Sequence, residues 1–288
     1  MHKRPIAEPL SALLSVVLLF STPGYAAGSE PAARQPEATA LTAFDRYVQL
    51  TSARVEKELR AEGPYLWVDL QPAATRARYA ETLKNGEVVI ESLPPRENGK
   101  EILFPDAYVH HWIGTVFIPG VTLDQYLAFA QDYNHHQQYF KPDVARSQLL
   151  ERKGDDFKVF FRFHKRKFFV TVVHDTWHDA HYYRLHARRA GSWTRTTKIE
   201  DVDNPGESNE KYRTPEEDRG FLWRLYTWWR FEERDGGVYV QSESVSLTRD
   251  IPFGTGWLVK DFPREQLAST LGATRRVLME RHAPRLPR

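Results

Sequence analysis

Between Val144 and Thr248 the chain repeats one pattern, a run with strand character followed by a connector of a few turn-forming residues. The runs fall at 144–151, 156–163, 167–176, 180–187, 192–202, 221–233 and 237–248. Lys153-Gly154-Asp155-Asp156, Lys165-Arg166, Ala190-Gly191 and Asp235-Gly236-Gly237 are read as the links. Links this short leave no room for a crossover, so successive strands must pair antiparallel. A longer helical segment, Asp261 to His282, closes the series with Leu267, Leu271 and Leu278 on one face. A sheet that buries one face needs a partner layer, and this helix supplies it.

Alternation assigns the faces. In Phe221–Phe231 the odd positions are Trp223, Leu225, Thr227, Trp229 and Phe231, whereas Arg224 and Arg230 fall on even ones. Side chains alternate sides with period two, so the odd set is expected to point inward. The same test on 156–163 selects Phe157, Val159, Phe161 and Phe163. At 167–173 both faces are apolar, and alternation does not decide.

Upstream, His111–Ile118 reads as a further strand turned by Pro119-Gly120. Thr122 followed three residues later by Gln125 spells a capping box, and Leu123, Tyr126, Leu127 and Ala130 line one face of the helix it opens. Nearer the N-terminus, Phe44, Tyr47, Val48, Val55 and Leu59 recur at helical spacing until Gly63-Pro64. A second helical stretch, 73–83, stops at Asn85-Gly86; 87–92 is a short strand, and Leu93–Asp106 is a loop placed as a boundary.

The first residues carry a different signal. His2-Lys3-Arg4, the apolar run Leu10–Phe20 and the small-residue site at Gly24-Tyr25-Ala26 have the order of a secretory signal peptide cleaved near Ala26. The apolar run is shorter than the roughly 20 residues that cross a bilayer. A secreted or periplasmic protein is therefore expected, organised as 1–26 signal peptide, 27–40 flexible leader, 41–105 helical extension and 106–284 main domain. Removing 1–26 takes Lys3, Arg4 and Glu8 from 40 basic and 38 acidic residues, leaving 38 against 37, a formal charge of +1. The acids and bases are interspersed, without the basic stripe that phosphate contacts need, so nucleic acid is excluded as a partner. There is no cysteine, which removes disulfides, thiolate ligands and thiol nucleophiles.

The histidine-rich segment His174–His186 admits three readings. His174 and His178 have metal-like spacing, but the glutamate of an HExxH arrangement is missing. A histidine beside Asp175 or Asp179 suits proton transfer in an apolar setting. The reading carried forward places Thr176–Ala180 at the turn end of a hairpin, with polar side chains on a solvated rim. Neither a metal nor a cofactor is assigned. Gly254-Thr255-Gly256 lacks the lysine-serine and strand–loop–helix context of a phosphate loop and is read as a flexible loop. The polar stretch Asp203–Gly220 is read as either a rim element or a tolerated insertion.

The opening strand HHWIGTVFIPG, the capped helix TLDQYLAFAQDY with the following YFKPDVARSQLLER, the pair RLYTWWRFEERDGGVYVQSESVSL and the terminal REQLASTLGATRRVLM together resemble the START-like, helix-grip (SRPBCC) superfamily. The likeness is to its bacterial polyketide cyclase/dehydrase and lipid-transport members, and it covers about His110 to Leu278. It implies an α+β fold: a curved antiparallel sheet wrapped around a long C-terminal helix, here with an N-terminal helical extension. It also implies a lipid, sterol, quinone or polyketide held beneath that helix. On this reading Phe157, Val159, Phe161, Trp223, Leu225, Trp229 and Phe231 form the wall and Leu267, Leu271 and Leu278 the roof. The expected partner is a hydrophobic small molecule, with transient membrane contact where it is acquired. The alternative is a cyclase or dehydratase whose acid/base group is His178 or Asp175 in the same cavity.

Overall fold

The computed structural model describes residues 35–167, 170–250 and 262–282. The signal-like segment, the start of the leader, residues 168–169 and Gly254-Thr255-Gly256 lie outside them. The chain enters through α1 (Ala38–Arg60) and α2 (Ala73–Lys84), then β1 (Val89–Ser92), a small hairpin of β2 (Arg96–Glu97) and β3 (Lys100–Glu101), and β4 (Ala107–Pro119). Two short helices, α3 (Leu123–Ala130) and α4 (His136–Tyr139), precede β5 (Val144–Lys153), β6 (Asp156–Lys167), β7 (Val170–His186) and β8 (Arg189–Asp203). The two-residue β9 (Lys211–Tyr212), β10 (Arg224–Arg234), β11 (Gly237–Arg249) and α5 (Phe262–His282) complete the order. The main sheet runs β1-β4-β11-β10-β8-β7-β6-β5, antiparallel at every step, and β9 adds to β8. With α5 packed on β4, this is the α+β helix-grip arrangement.

The local signals act as chemistry requires. Thr122 Oγ1 accepts from the Gln125 amide at 3.3 Å and Gln125 Oε1 from the Thr122 amide at 2.9 Å, so the box that starts α3 is closed on both sides. The β10–β11 turn places Asp235 and Gly236 at φ 54° and 74°, the left-handed pair that matches the twist of a two-residue hairpin.

Three links fall elsewhere than expected. The segment read as a turn at Thr176–Ala180 is the middle of one 17-residue strand, β7. It contains neither glycine nor proline, and Thr176, His178 and Ala180 pair with β6 and β8 on both sides. The local irregularity is a bulge, with Trp177 opposite Lys198 but His178 opposite Thr196. Ala190-Gly191 lies inside β8, the turn falling at Ala187-Arg188. The glycine serves close packing instead: a Cβ there would meet the Trp229 carbonyl at 2.6 Å and the Tyr183 ring. Lys165-Arg166 lies within β6.

Both faces of the sheet are covered. On the inner face, Val116, Ile118, Phe157, Val159, Phe231, Val238 and Val240 pack with α3 and with Leu267, Leu271 and Leu278 of α5. Gly114 is the seat of that helix, since a Cβ would lie 2.8 Å from Leu271 Cδ1 and 3.0 Å from Leu267 Cδ2. On the outer face, Ala40, Phe44, Tyr47, Val48 and Val55 of α1 pack on Val109, Trp228, Val245 and Leu247. The helix begins inside the stretch read as leader, with Ala40 wholly buried. Tyr79 and Leu83 of α2 join Val89, Phe117 and Tyr239 in a third cluster. The extension therefore supplies an edge strand and an outer layer, giving three layers in all.

Candidate functional site

Register fixes which side chains share the inner face. Trp229 of β10 lies opposite Ser192 of β8 and Ser242 of β11, and Ser242 lies opposite Gly114 under α5. One step along, Thr227 lies between Thr194 and Ser244, and Ser244 is opposite Trp112. Leu225 is opposite Ser246, which pairs with His110. On the other flank, Phe161 faces Thr176, Phe163 faces His174, and Val159 faces His178. Directly opposed residues in an antiparallel pair point to the same side. These positions thus form one surface, with α5 above β4 at its margin.

The surface has two parts. Phe157, Val159, Phe231, Leu271 and Leu278 are at most 2 % exposed, Leu267 is buried beside them, and together they make a filled core. Trp112, Phe161, Phe163, Leu225 and Trp229 are only half-buried although they lie on the same face. Among the expected wall residues, Phe161, Leu225 and Trp229 belong to this second part. Trp223 does not: it precedes β10, its amide donates to the Leu247 carbonyl at 2.8 Å, and it packs in the outer cluster under α1. The alternation used to place it inside does not extend beyond the first strand residue, Arg224.

The histidines separate by face. His174, Thr176 and His178 are inner and buried. Nε2 of His178 and Oγ1 of Thr176 are 2.8 Å apart. Burial pulls both imidazoles down to about 4, against the opposing charges of Asp201 on His174 and Asp179 on His178, so both are neutral at neutral pH. His136, stacked on Phe161 at 5.8 Å, is likewise pulled down to about 4 by burial. His181 points to the outer face, where Nδ1 lies 2.7 Å from Asp156 Oδ1. The imidazoles of the segment therefore do not converge, and among the described residues no His, Asp and Glu cluster is arranged to hold a metal ion.

Asp175 is also on the outer side. Its carboxylate, 1 % exposed, accepts a fork from Arg162 at 2.7 and 2.8 Å and the Tyr212 hydroxyl at 2.8 Å. It is committed to structure and shares no space with His178. The same contacts explain the stretch 203–220. Arg162 also holds Glu210, Arg219 forks onto Asp201 at 2.7 and 2.6 Å, and the segment is tied down along its length.

Alternation also left part of the inner face unread. Ser192, Thr194, Thr227, Ser242, Ser244 and Ser246 line it. The signal was present in Ser242-Glu243-Ser244-Val245-Ser246, serine at every second position. A second polar system lies on the outer face. The Tyr47 hydroxyl and His111 Nδ1 are 2.6 Å apart, His111 Nε2 and Glu243 Oε1 are 2.7 Å apart, and Arg54 pairs with Glu243 and, at 2.9 Å, with Glu58. Arg230 completes the chain through Glu58 and donates to the Tyr65 carbonyl at 2.9 Å.

No family model and no curated protein matches the chain. Among solved structures, it is similar to the STAR-related lipid transfer protein (fragment 25–204) from Xanthomonas axonopodis, at 18 % identity and TM-score 0.45, over 66 % of this chain and 93 % of that one. It is similar to human STARD10 at 10 % identity and TM-score 0.42, over 75 % and 86 %. The Zhui aromatase/cyclase from a Streptomyces species matches at 13 % identity and TM-score 0.39, over 60 % and 96 %.

Proposed function

We propose that the protein holds a hydrophobic small molecule against the inner face of its sheet, beside α5. One observation carries this reading: Trp112, Phe161, Phe163, Leu225 and Trp229 stay half-buried on a face whose other half is a sealed core. Large apolar side chains left partly uncovered next to a packed helix favour a ligand that removes them from water, at roughly 25 cal/mol per Å² of apolar area. Lipids, quinones and polyketide-like compounds all fit that description.

Native mass spectrometry of the purified protein, with organic extraction of any bound species, is the direct test. A bound apolar compound is expected; protein that emerges ligand-free and takes up no hydrophobic probe would count against the reading. The variant Trp229→Asp is expected to abolish probe uptake, and Trp177→Ala, on the outer face, to leave it intact.

His178 supports a second, catalytic reading, because it is a buried neutral imidazole on the same face. Its partner in proton transfer would be a ligand group or Thr176, since Asp175 lies across the sheet. Turnover lost in His178→Ala with binding retained would select it. The proposal includes export: N-terminal sequencing of secreted or periplasmic protein is expected to begin near Ala27.

A further inference from the structure

Helix α5 has two packed flanks with a stripe between them. On one flank, Leu267 and Leu271 sit over Gly114 of β4. On the other, Ser269 Oγ donates to Asp143 Oδ2 at 2.8 Å, just before β5 begins. At about 3.6 residues per turn, Gln266 and Thr270 fall between those two lines, so they look across the inner face rather than at either edge. Phe262 is one turn before Gln266 on the same stripe, and Lys165 Nζ lies 5.9 Å from its ring. The stripe therefore reaches the end of β6, where Phe163 stays half-buried.

The Gln266 amide is held at one end only. Its Nε2 donates to Thr270 Oγ1 at 3.1 Å. Its Oε1 is closed off from solvent and, among the described residues, accepts no hydrogen bond. A buried carbonyl without a donor is costly, and such groups are nearly always satisfied by protein, water or ligand. Because Thr270 takes the amide N–H, the free end is an acceptor. A surface that needed only apolar bulk there would carry leucine at 266, as it does at 267 and 271.

We infer that Gln266 is a specificity-determining residue, whose side-chain carbonyl selects ligands that bring a neutral hydrogen-bond donor, of hydroxyl type, to the α5 side of the inner face. The inference rests on the ligand-binding reading above and sharpens it. A hydroxyl donates to Oε1 without carrying charge into an apolar setting. An ether or a carboxylate only accepts, and each leaves the carbonyl unpaired.

The test is calorimetry on the purified protein with n-decanol, its isomer methyl nonyl ether, and decanoate at neutral pH. Decanol is expected to bind roughly three- to tenfold more tightly than the ether, the worth of one net hydrogen bond, and more tightly than decanoate. Gln266→Met keeps side-chain length and helix propensity but has no carbonyl. In that variant the preference for decanol over the ether is expected to vanish while ether affinity is unchanged. Gln266→Leu serves if the methionine variant does not fold. Equal binding of decanol and ether, decanoate binding as tightly as decanol, or a preference that survives the substitutions overturns the inference and leaves the hydrophobic-ligand reading standing. If none of the three binds, both readings fall.

Discussion

Glu58 and Glu56 sit two residues apart on α1, and replacing each by alanine separates a buried ion pair from a surface one. Glu58 carries the charge opposite Arg230, whose side chain is 2 % exposed, donates to the Tyr65 carbonyl at 2.9 Å and lies over the Tyr65 ring at 5.9 Å. Removing Glu58 takes away the direct partner of that guanidinium, and that of Arg54 as well, leaving the single carboxylate of Glu243 to face both cations. Breaking one side of a buried pair costs about 3–5 kcal/mol. At roughly 2–4 °C per kcal/mol for a chain of this size, the melting temperature should fall by about 6–20 °C. Glu56 pairs with Arg60 at 3.3 Å, with 63 % and 81 % of the two side chains exposed. Glu56→Ala should therefore cost less than about 1 kcal/mol. Helix propensity changes identically in both variants, so it cancels. Adding Arg230→Met to Glu58→Ala should recover most of the loss, because an apolar side chain tolerates the buried site that a lone charge does not. Thermal unfolding followed by circular dichroism measures all three. Equal melting temperatures for Glu58→Ala and Glu56→Ala would refute the account of α1 as a layer bolted to the sheet by charge.

Acid should destabilise the fold in two steps. His136, His174 and His178 are pulled from 6.5 to about 4 by burial, so the unfolded chain binds more protons. Their contribution is complete above about pH 6.5 and is lost as pH falls to about 4, at up to 1.4 kcal/mol per pH unit for each, read as the denaturant midpoint. His174→Gln should flatten that slope. Burial pushes the Glu243 carboxyl up, but the His111 hydrogen bond and the Arg54 charge outweigh it and hold it below the usual range, so its contribution persists until lower pH and disappears in Glu243→Gln. Gly114→Val should displace α5, because the new Cβ would lie 2.8 Å from Leu271; a loss of about 1–3 kcal/mol with altered probe binding is expected, and wild-type values in both assays would contradict the seat assigned to it.

The turn between β10 and β11, the capping box of α3 and the inward set Phe157, Val159 and Phe231 were legible because each depends on residues close in sequence. Thr176–Ala180 misled for the same reason: its polar residues suggest a turn, whereas neighbouring strands on both sides hold it extended. The serine alternation in β11 was visible, but which side of the sheet it lines was decided by the pairing of β11 with β4 and β10.

Arg230 marks the limit most clearly. Period-two alternation places it on the face opposite Phe231, and the sheet does so. Whether that face meets water or protein depends on what covers it, and the cover is α1, 172 residues away along the chain at Glu58. The sequence by itself determined which side chains share a face, since backbone geometry sets that within a strand. Which layer closes over each face was decided only by the tertiary structure, because burial of a charge depends on a partner brought in from elsewhere in the chain.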